Sequence, residues 1–164
     1  MERLLQPLGH AGKQNNLLFP TQPRIYDGSR FVRWITLVLL AIVVFRSVIH
    51  LVAPATAAEL IAGVDIYAGD GNNVVAMFSQ WGAVQLILVM VLLLLFFIYP
   101  GLTPLVLLFL AMDAPLRFIA GQIAPLVTVR EPPGQVLNWP YFFFVLVVLA
   151  LSLRKHRPAA LPAE

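Results

Sequence analysis

The sequence contains no cysteine, and this absence excludes several kinds of chemistry at once. Disulfide bridges, thiolate nucleophiles, cysteine-type zinc sites and thiolate-bound iron–sulfur clusters all require that residue. The three histidines, His10, His50 and His156, lie far apart in the chain and form no HExxH-type motif. The sequence therefore predicts no metal site built from neighbouring ligands.

Charged residues are also scarce: they make up 12% of the chain, whereas 60% of the residues are hydrophobic. Soluble domains contain about 25% charged residues. The mean hydropathy is +0.84, and the apolar residues are concentrated in long runs. This composition predicts an integral membrane protein with a single transmembrane domain.

Four apolar runs are each long enough to cross a bilayer core of about 30 Å as a helix. The segment YPGLTP separates the second and third runs, because Pro100-Gly101 is a turn dipeptide and Pro104 suits the first turn of a new helix. The expected fold is an all-α membrane protein of four transmembrane helices, in which spans 2 and 3 form a tight hairpin and pack antiparallel. The predicted spans cover about 31–52, 74–98, 103–121 and 136–153 of a transmembrane domain at 31–153.

The distribution of basic residues indicates the orientation of these spans. An arm at 1–30 and a tail at 154–164 are rich in arginine and lysine, whereas the loop between spans 1 and 2 contains acids and no basic residue. The positive-inside rule then places both termini in the cytoplasm and both longer loops outside the inner membrane. We interpret the arm as a surface segment that sets the topology, with contact to anionic lipid or to a partner subunit as the alternative.

The first residues do not have the pattern of a cleaved signal peptide, since Pro7 and Gly9 interrupt them and no apolar core of sufficient length follows at once. The first span is therefore expected to act as an uncleaved signal anchor. Aromatic residues near the ends of the spans are expected to anchor them at the membrane–water interface. These are Trp34, Trp139 and Tyr141.

Several polar residues interrupt the apolar runs in the half of the bilayer that faces outward. A charged side chain near the centre of a bilayer costs about 2.5–3.5 kcal/mol on insertion scales. Such residues therefore need partners, or they mark a functional site. The predicted intramembrane cluster consists of Arg46, His50, Gln80, Gln85, Asp113 and Arg117.

Asp113 and Arg117 are four residues apart, so they are expected to pair along one face of span 3. Pro115 lies between them, removes one backbone hydrogen bond to Ala111 and is expected to kink the helix. Arg46 then lacks a partner of its own, and the cluster keeps one net positive charge that an acidic loop residue or a bound anion would neutralise. The candidate counter-charges for Arg46 are Asp113 and two residues of the first outer loop, Glu59 and Asp65.

This cluster has two interpretations. In the first, interhelical polar contacts hold the first three spans together. In the second, the cluster forms an outward-facing pocket for a lipid headgroup, a carboxylate or a quinone-like head. His50 is expected to be a hydrogen-bonding residue near the end of a span, with axial ligation of a haem or another tetrapyrrole as the alternative. No cofactor is predicted, and contact with a lipid, a quinone or a tetrapyrrole is kept as an alternative.

The layout over about 30–155 resembles small bacterial four-span membrane families, namely the DoxX-like proteins and their relatives. The resemblance lies in the number of spans and in polar residues of span 3, such as Arg117 followed by Gly121. It implies a four-span fold in a bacterial membrane and transfers no functional residue.

The sequence contains no pairing of a nucleophile with a base, since no serine or threonine has a spacing that would pair it with His50. The expected function is therefore that of a non-enzymatic accessory or scaffold subunit that packs against a larger membrane complex. Its expected partners are the lipid bilayer and other membrane protein subunits, and no nucleic acid. The alternative is a binder or carrier of a lipophilic or anionic small molecule, and a third hypothesis is an intramembrane enzyme that uses Asp113 or His50 as acid or base.

The topology can be tested by cysteine labelling, because the chain has no native cysteine. We expect Asp70→Cys to react with a membrane-impermeant maleimide in intact cells, since residue 70 belongs to the first outer loop. Ala159→Cys in the basic tail is the control and should react only after the membrane is permeabilised. Labelling of residue 70 only from the cytoplasmic side would contradict the predicted orientation.

Overall fold

The computed structural model describes residues 18–67 and 69–154, and within these residues the chain is helical and has no strand. The all-α prediction is therefore confirmed. The arm at 1–17 and the tail at 155–164 lie outside the described residues. The α-helices are α1 (Arg30–Val52), α2 (Pro54–Thr56), α3 (Gly71–Ile98), α4 (Thr103–Ile123), α5 (Pro133–Val136) and α6 (Asn138–Ser152). A π-helical turn follows α2 at Ala57–Ile61, and a 3-10 turn precedes α4 at Pro100–Leu102.

Three of these helices, α1, α3 and α4, are long and apolar enough to cross a membrane. The fourth predicted span is shorter than expected, since α6 has 15 residues and would extend over about 22 Å. Two prolines, Pro132 and Pro133, fix the start of α5, and the chain then turns at Leu137 before α6 begins. The predicted span at 136–153 is therefore divided between α5, a turn and α6.

The helix ends follow from local chemistry. The Ser29 hydroxyl accepts a hydrogen bond of 3.2 Å from the backbone N–H of Phe31 and caps α1. Between α3 and α4 the connection is as short as the sequence predicts, because Pro100 starts a single 3-10 turn. The Thr103 hydroxyl donates to the Pro100 carbonyl at 2.6 Å and closes that turn.

The helices associate as two antiparallel pairs, α1 with α3 and α4 with α6. In the first pair, Arg33 near the start of α1 donates to the carbonyl of Phe96 near the end of α3, with 3.4 Å between Nη2 and O. In the second pair, Asn138 at the start of α6 donates to the carbonyl of Ala114 in α4 at 3.1 Å. Contact between α3 and α4 themselves is slight. The turn between α3 and α4 is therefore where the sequence predicts it. However, α3 packs mainly on α1, and α4 packs mainly on α6.

Small residues explain why these particular faces meet. At Gly82 of α3 an added Cβ would lie 2.6 Å from the backbone N of Leu51 and 2.7 Å from the backbone C of His50. The hydroxyl of Ser79 bonds to the carbonyl of Leu51 at 3.2 Å, one turn from Gly82. Close approach over small residues, reinforced by a polar contact, is the usual way in which helices associate in lipid.

We call the end of the bundle with Arg30, Ile98 and Thr103 the proximal end, and the end with Val52 and Ile123 the distal end. An apolar core joins the two helix pairs and extends from the proximal end to mid-bundle. Its fully buried members are Leu40, Val89, Val106, Leu107 and Val145.

The segment at 18–29 packs across the turn between α3 and α4. Gly101 donates its backbone N–H to the carbonyl of Pro23 at 2.8 Å, and an added Cβ at Gly101 would lie 2.6 Å from the carbonyl of Ile25. Burial raises the pKa of the Tyr26 hydroxyl to about 12, although the nearby Arg33 acts in the opposite direction. The described part of the arm is thus docked on the bundle, a contact that the sequence did not predict.

The α1–α3 contact predicts that substitution of Gly82 destabilises the bundle, whereas a glycine outside the contact tolerates the same change. We expect Gly82→Ala to push α1 and α3 apart and to lower the free energy of unfolding by about 1–3 kcal/mol, as overpacking of a close contact does. Gly121→Ala is the matched control in α4, because an added Cβ there meets nothing within 4 Å. Thermal unfolding in detergent, followed by tryptophan fluorescence, measures both; an unchanged Tm for Gly82→Ala would show that the two helices are not in close contact.

Candidate functional site

The candidate site is a cluster of three charges between the two helix pairs, in the distal half of the bundle. Asp113 and Arg117 lie one turn apart on α4, and Nη2 of Arg117 donates a hydrogen bond to Oδ2 of Asp113. Pro115 lies inside α4 between them. The spacing that suggested this pair thus places the two side chains on one helix face.

Arg46 of α1 reaches the same carboxylate from the other helix pair. Its Nη2 lies 3.9 Å from Oδ2 of Asp113. The Cζ atom of Arg46 lies 6.0 Å from the ring centroid of Trp81 in α3, within the range of a cation–π contact. Arg46 therefore connects α1, α3 and α4, and Asp113 is shared by two guanidinium groups.

The two loop acids predicted as counter-charges, Glu59 and Asp65, do not pair with Arg46, since no carboxylate in the described residues other than Asp113 lies within ion-pair distance of it. Asp65 is exposed, and its Oδ1 accepts from the backbone N–H of Tyr67 at 2.9 Å. Glu59 is exposed on the π-helical turn, where its backbone carbonyl accepts from Nη2 of Arg130 at 2.8 Å. Neither of these carboxylates therefore neutralises Arg46 in the described chain.

Arg130 is a structural residue that the sequence analysis did not single out. Its Nη2 also donates to the carbonyl of Leu60 at 2.6 Å, so one guanidinium joins the two distal loops. Next to it, the backbone N–H of Val129 donates to the carbonyl of Gly63 at 2.8 Å. Gly63 has a φ of +67°, which favours glycine at this crossing point.

His50 is buried, with 2% of its surface exposed, and it is enclosed by aromatic rings. Its Nδ1 lies 2.7 Å from the carbonyl of Arg46, which makes Nδ1–H the donor in that contact. The imidazole stacks on Phe78 at 5.7 Å between centroids and meets Trp81 edge-on at 5.1 Å. No group of three or more histidine, aspartate or glutamate side chains that could hold a metal occurs in the described part of the chain.

The two predicted glutamines differ in their environment. Gln80 is exposed on α3, and no hydrogen bond links it to the charged cluster within the described residues. Gln85 is half-buried, and its Oε1 is inaccessible and has no hydrogen-bond partner. A buried amide oxygen without a donor costs free energy, so it marks a point where a further donor would bind.

Residues of α5 and α6 complete the cluster. Tyr141, predicted as an interface anchor, lies within electrostatic range of Arg46, Asp113 and Arg117. An added Cβ at Gly134 would lie 3.6 Å from Nη1 of Arg117, so the α5 turn covers this guanidinium on one side. The other two predicted anchors are at the surface, with 67% of Trp34 and 39% of Trp139 exposed.

Asn138 contributes to the cluster in a way that the sequence analysis missed. Its side-chain amide donates to the carbonyl of Ala114, the residue that precedes Pro115, whereas the sequence suggested Ala111 as the carbonyl in need of a donor. The sequence offered one signal for this contact, an asparagine at the start of predicted span 4 and a proline inside span 3. A proline frees backbone carbonyl groups in a membrane helix, and a neighbouring side chain then has to donate to them.

The cluster keeps one unbalanced positive charge and remains partly accessible. The exposed fractions of the side chains are 23% for Arg46, 39% for Asp113 and 34% for Arg117. The Nε of Arg117 is buried and has no hydrogen-bond partner. The arrangement thus presents two guanidinium groups that share a single carboxylate, which is an environment suited to an additional anionic group.

Comparison of the chain with protein-family models, curated proteins and solved structures yields no match. The resemblance to DoxX-like families therefore stays a prediction, and the interpretation of the site depends on its own geometry.

Removal of the shared carboxylate should destabilise the bundle. In Asp113→Asn the cluster would carry two uncompensated positive charges, and we expect the free energy of unfolding to fall by about 2 kcal/mol. This is below the 3–5 kcal/mol of a fully buried pair because these side chains are partly accessible. Glu131→Gln is the control, since Glu131 is an exposed acid with no ion pair in the described chain. Equal Tm values for the two variants in detergent would contradict a structural role for Asp113.

Proposed function

We propose that the chain is a four-span protein of the inner membrane, with both termini in the cytoplasm, that serves as an accessory subunit of a larger membrane complex. The three long apolar helices support insertion in a membrane. The proposed fourth crossing consists of α6 and the α5 turn before it. The basic arm and tail support the proposed orientation.

The observation that carries this proposal is the charge imbalance at Arg46. Its side chain is 23% exposed, and its carboxylate partner in the described chain is already bonded to Arg117. A charge in this position is costly in lipid unless a counter-charge approaches. An acidic side chain on a helix of a neighbouring subunit would supply that charge and would fix the position of the neighbour.

A second candidate function is the binding of a lipophilic anion or a quinone-like head by the same cluster. The observation that favours it is the buried Nε of Arg117, a donor without a partner in the described chain, from which an anionic oxygen or a quinone carbonyl could accept a hydrogen bond. A small polar head can enter between helices and reach buried atoms, whereas a neighbouring helix contacts mainly the accessible edge. The two candidates therefore differ in which atoms of the cluster they use.

Catalysis is not part of this proposal. No serine or threonine hydroxyl is hydrogen-bonded to His50 in the described chain, and the ring's Nδ1 is already bonded to the carbonyl of Arg46. A nucleophile and a base within hydrogen-bond reach would be needed for a covalent mechanism.

Arg46→Leu separates the role of the cluster in binding from its role in folding. The substitution leaves Asp113 and Arg117 as a neutral pair, so we expect the bundle to fold and its Tm to fall less than in Asp113→Asn. We expect the complex extracted from native membranes by mild detergent to lose this subunit on a native gel. Arg24→Leu is the matched control, because Arg24 is an exposed arginine outside the helices.

Site-specific photo-crosslinking identifies what contacts the cluster. A photoreactive residue at position 112, next to Asp113, should attach to a neighbouring protein. The control is a photoreactive residue at position 38 on α1, which should not attach. Both positions are accessible, since the native Met112 and Val38 are 43% and 56% exposed. An intact complex with Arg46→Leu would refute the subunit proposal. Loss of a co-purifying small molecule from the same variant, detected by mass spectrometry, would favour the second candidate.

A further inference from the structure

An open groove lies at the proximal end of the bundle, far from the charged cluster. It runs between the first turns of α1 and the last turn of α3 and encloses about 310 Å³. Its lining combines basic and apolar side chains: Arg30, Arg33, Trp34, Leu37, Phe96 and Phe97.

The spacing along α1 places the basic and apolar parts of the groove in order. Arg30 and Arg33 are three residues apart and lie on one face of the helix. Leu37 is four residues beyond Arg33 on the same face, one turn deeper in the apolar span. The groove is therefore basic where α1 begins and becomes apolar toward the middle of the bundle.

The guanidinium of Arg33 is held in place by α3. Its Nη2 donates to the carbonyl of Phe96, and its Cζ lies 4.8 Å from the centroid of the Phe96 ring. Phe96 itself is buried, with 2% exposed, so it provides a fixed platform. A guanidinium that is held in this way presents its remaining N–H groups without further loss of side-chain freedom.

Neither arginine of the groove has a carboxylate partner in the described chain. Asp27, the acid closest to them in sequence, is exposed and forms no ion pair within the described residues. Two guanidinium groups therefore face a cavity that lacks compensating negative charge. Paired arginines of this kind are suited to the recognition of a phosphate group.

We propose that this groove binds an anionic phospholipid. Arg30 and Arg33 hold the phosphate, and an acyl chain follows the apolar wall formed by Leu37 and Phe97. The proposal concerns a site distinct from the charged cluster and does not depend on the accessory-subunit function. It requires that α1 and α3 cross the membrane, which their length and hydropathy support.

The apolar wall is the reason to assign the groove to a lipid rather than to a soluble phosphate compound. Trp34 and Phe97 both line the groove and are 67% and 60% exposed, so their rings are accessible to an acyl chain. A small phosphate ester would leave this wall without contact. A phospholipid has both the charge for the basic end and the chain for the apolar end.

Trp34 provides a direct probe. In the full chain with Trp81→Phe and Trp139→Phe, Trp34 is the remaining tryptophan, since the sequence contains three. We would reconstitute this protein into phosphatidylcholine bilayers with phosphatidylglycerol and brominate either lipid at equal mole fraction. Measurement at about 0.5 M salt suppresses diffuse surface attraction, because screening then acts over a few ångströms.

We expect brominated phosphatidylglycerol to quench Trp34 at lower mole fractions than brominated phosphatidylcholine does. A direct ion pair at an exposed site is worth up to about fivefold in binding constant. Arg30→Gln should therefore reduce the preference by up to about fivefold. It is a conservative choice because Arg30 is exposed and makes no described side-chain contact. Arg33→Lys keeps the charge and loses the planar group, and it should reduce the preference by a smaller factor.

Arg24→Gln is the matched control, since Arg24 is an exposed arginine near the proximal end and outside the groove. An equal loss of preference in Arg24→Gln and Arg30→Gln would overturn the proposal, because diffuse surface charge would then explain the effect. Equal quenching by the two lipids in the parent protein would also overturn it. Displacement of brominated phosphatidylglycerol by millimolar glycerol phosphate would instead assign the groove to soluble phosphate esters.

Discussion

The structure depends on how a charge is accommodated among apolar helices. Asp113 interacts with Arg117 on its own helix and with Arg46 on the other helix pair, so one carboxylate determines how the two halves of the bundle meet at the distal end. The energy of an ion pair depends on the distance between its members, so this contact is sensitive to how the two helix pairs are placed. Sliding one helix pair along the other by a single turn would separate Arg46 from Asp113 by about 5 Å. The apolar core alone permits such a shift much more easily, since aliphatic side chains pack in many registers.

The two ends of the bundle are stabilised by different forces. At the proximal end, Leu40, Leu107 and Val145 fill an apolar core that is shared by both helix pairs. In lipid this packing gains little from solvent, because acyl chains are as apolar as leucine. Close contact at Gly82 and the hydrogen bond from Asn138 to Ala114 are specific to one arrangement in each pair. The particular arrangement of the helices in each pair therefore depends on small and polar residues. The apolar residues contribute volume and shape complementarity.

Hydropathy alone was sufficient to locate most of the helices, since α3 begins three residues before the predicted start and α4 ends two residues after the predicted end. The pairing of Asp113 with Arg117 also followed from spacing. The partner of each helix could not be predicted, because α3 is apolar on all sides and its sequence does not indicate which face meets α1. For the same reason the contact of Trp81 with Arg46 was missed. Helix α6 is short because the chain turns at Leu137. Hydropathy does not predict this turn, since it lies within a largely apolar run.

The bond between Gly101 and Pro23 joins two parts of the chain that are 78 residues apart, since 101 − 23 = 78. Both partners must therefore lie on the same side of the membrane, which requires an even number of crossings between them and agrees with α1 and α3 both spanning the bilayer.

The order of synthesis limits when this bond can form. It cannot form until α1 and α3 have been synthesised and the turn after α3 has left the ribosome. Docking of the segment at 18–29 is thus a late event, which can occur only after both α1 and α3 have been made.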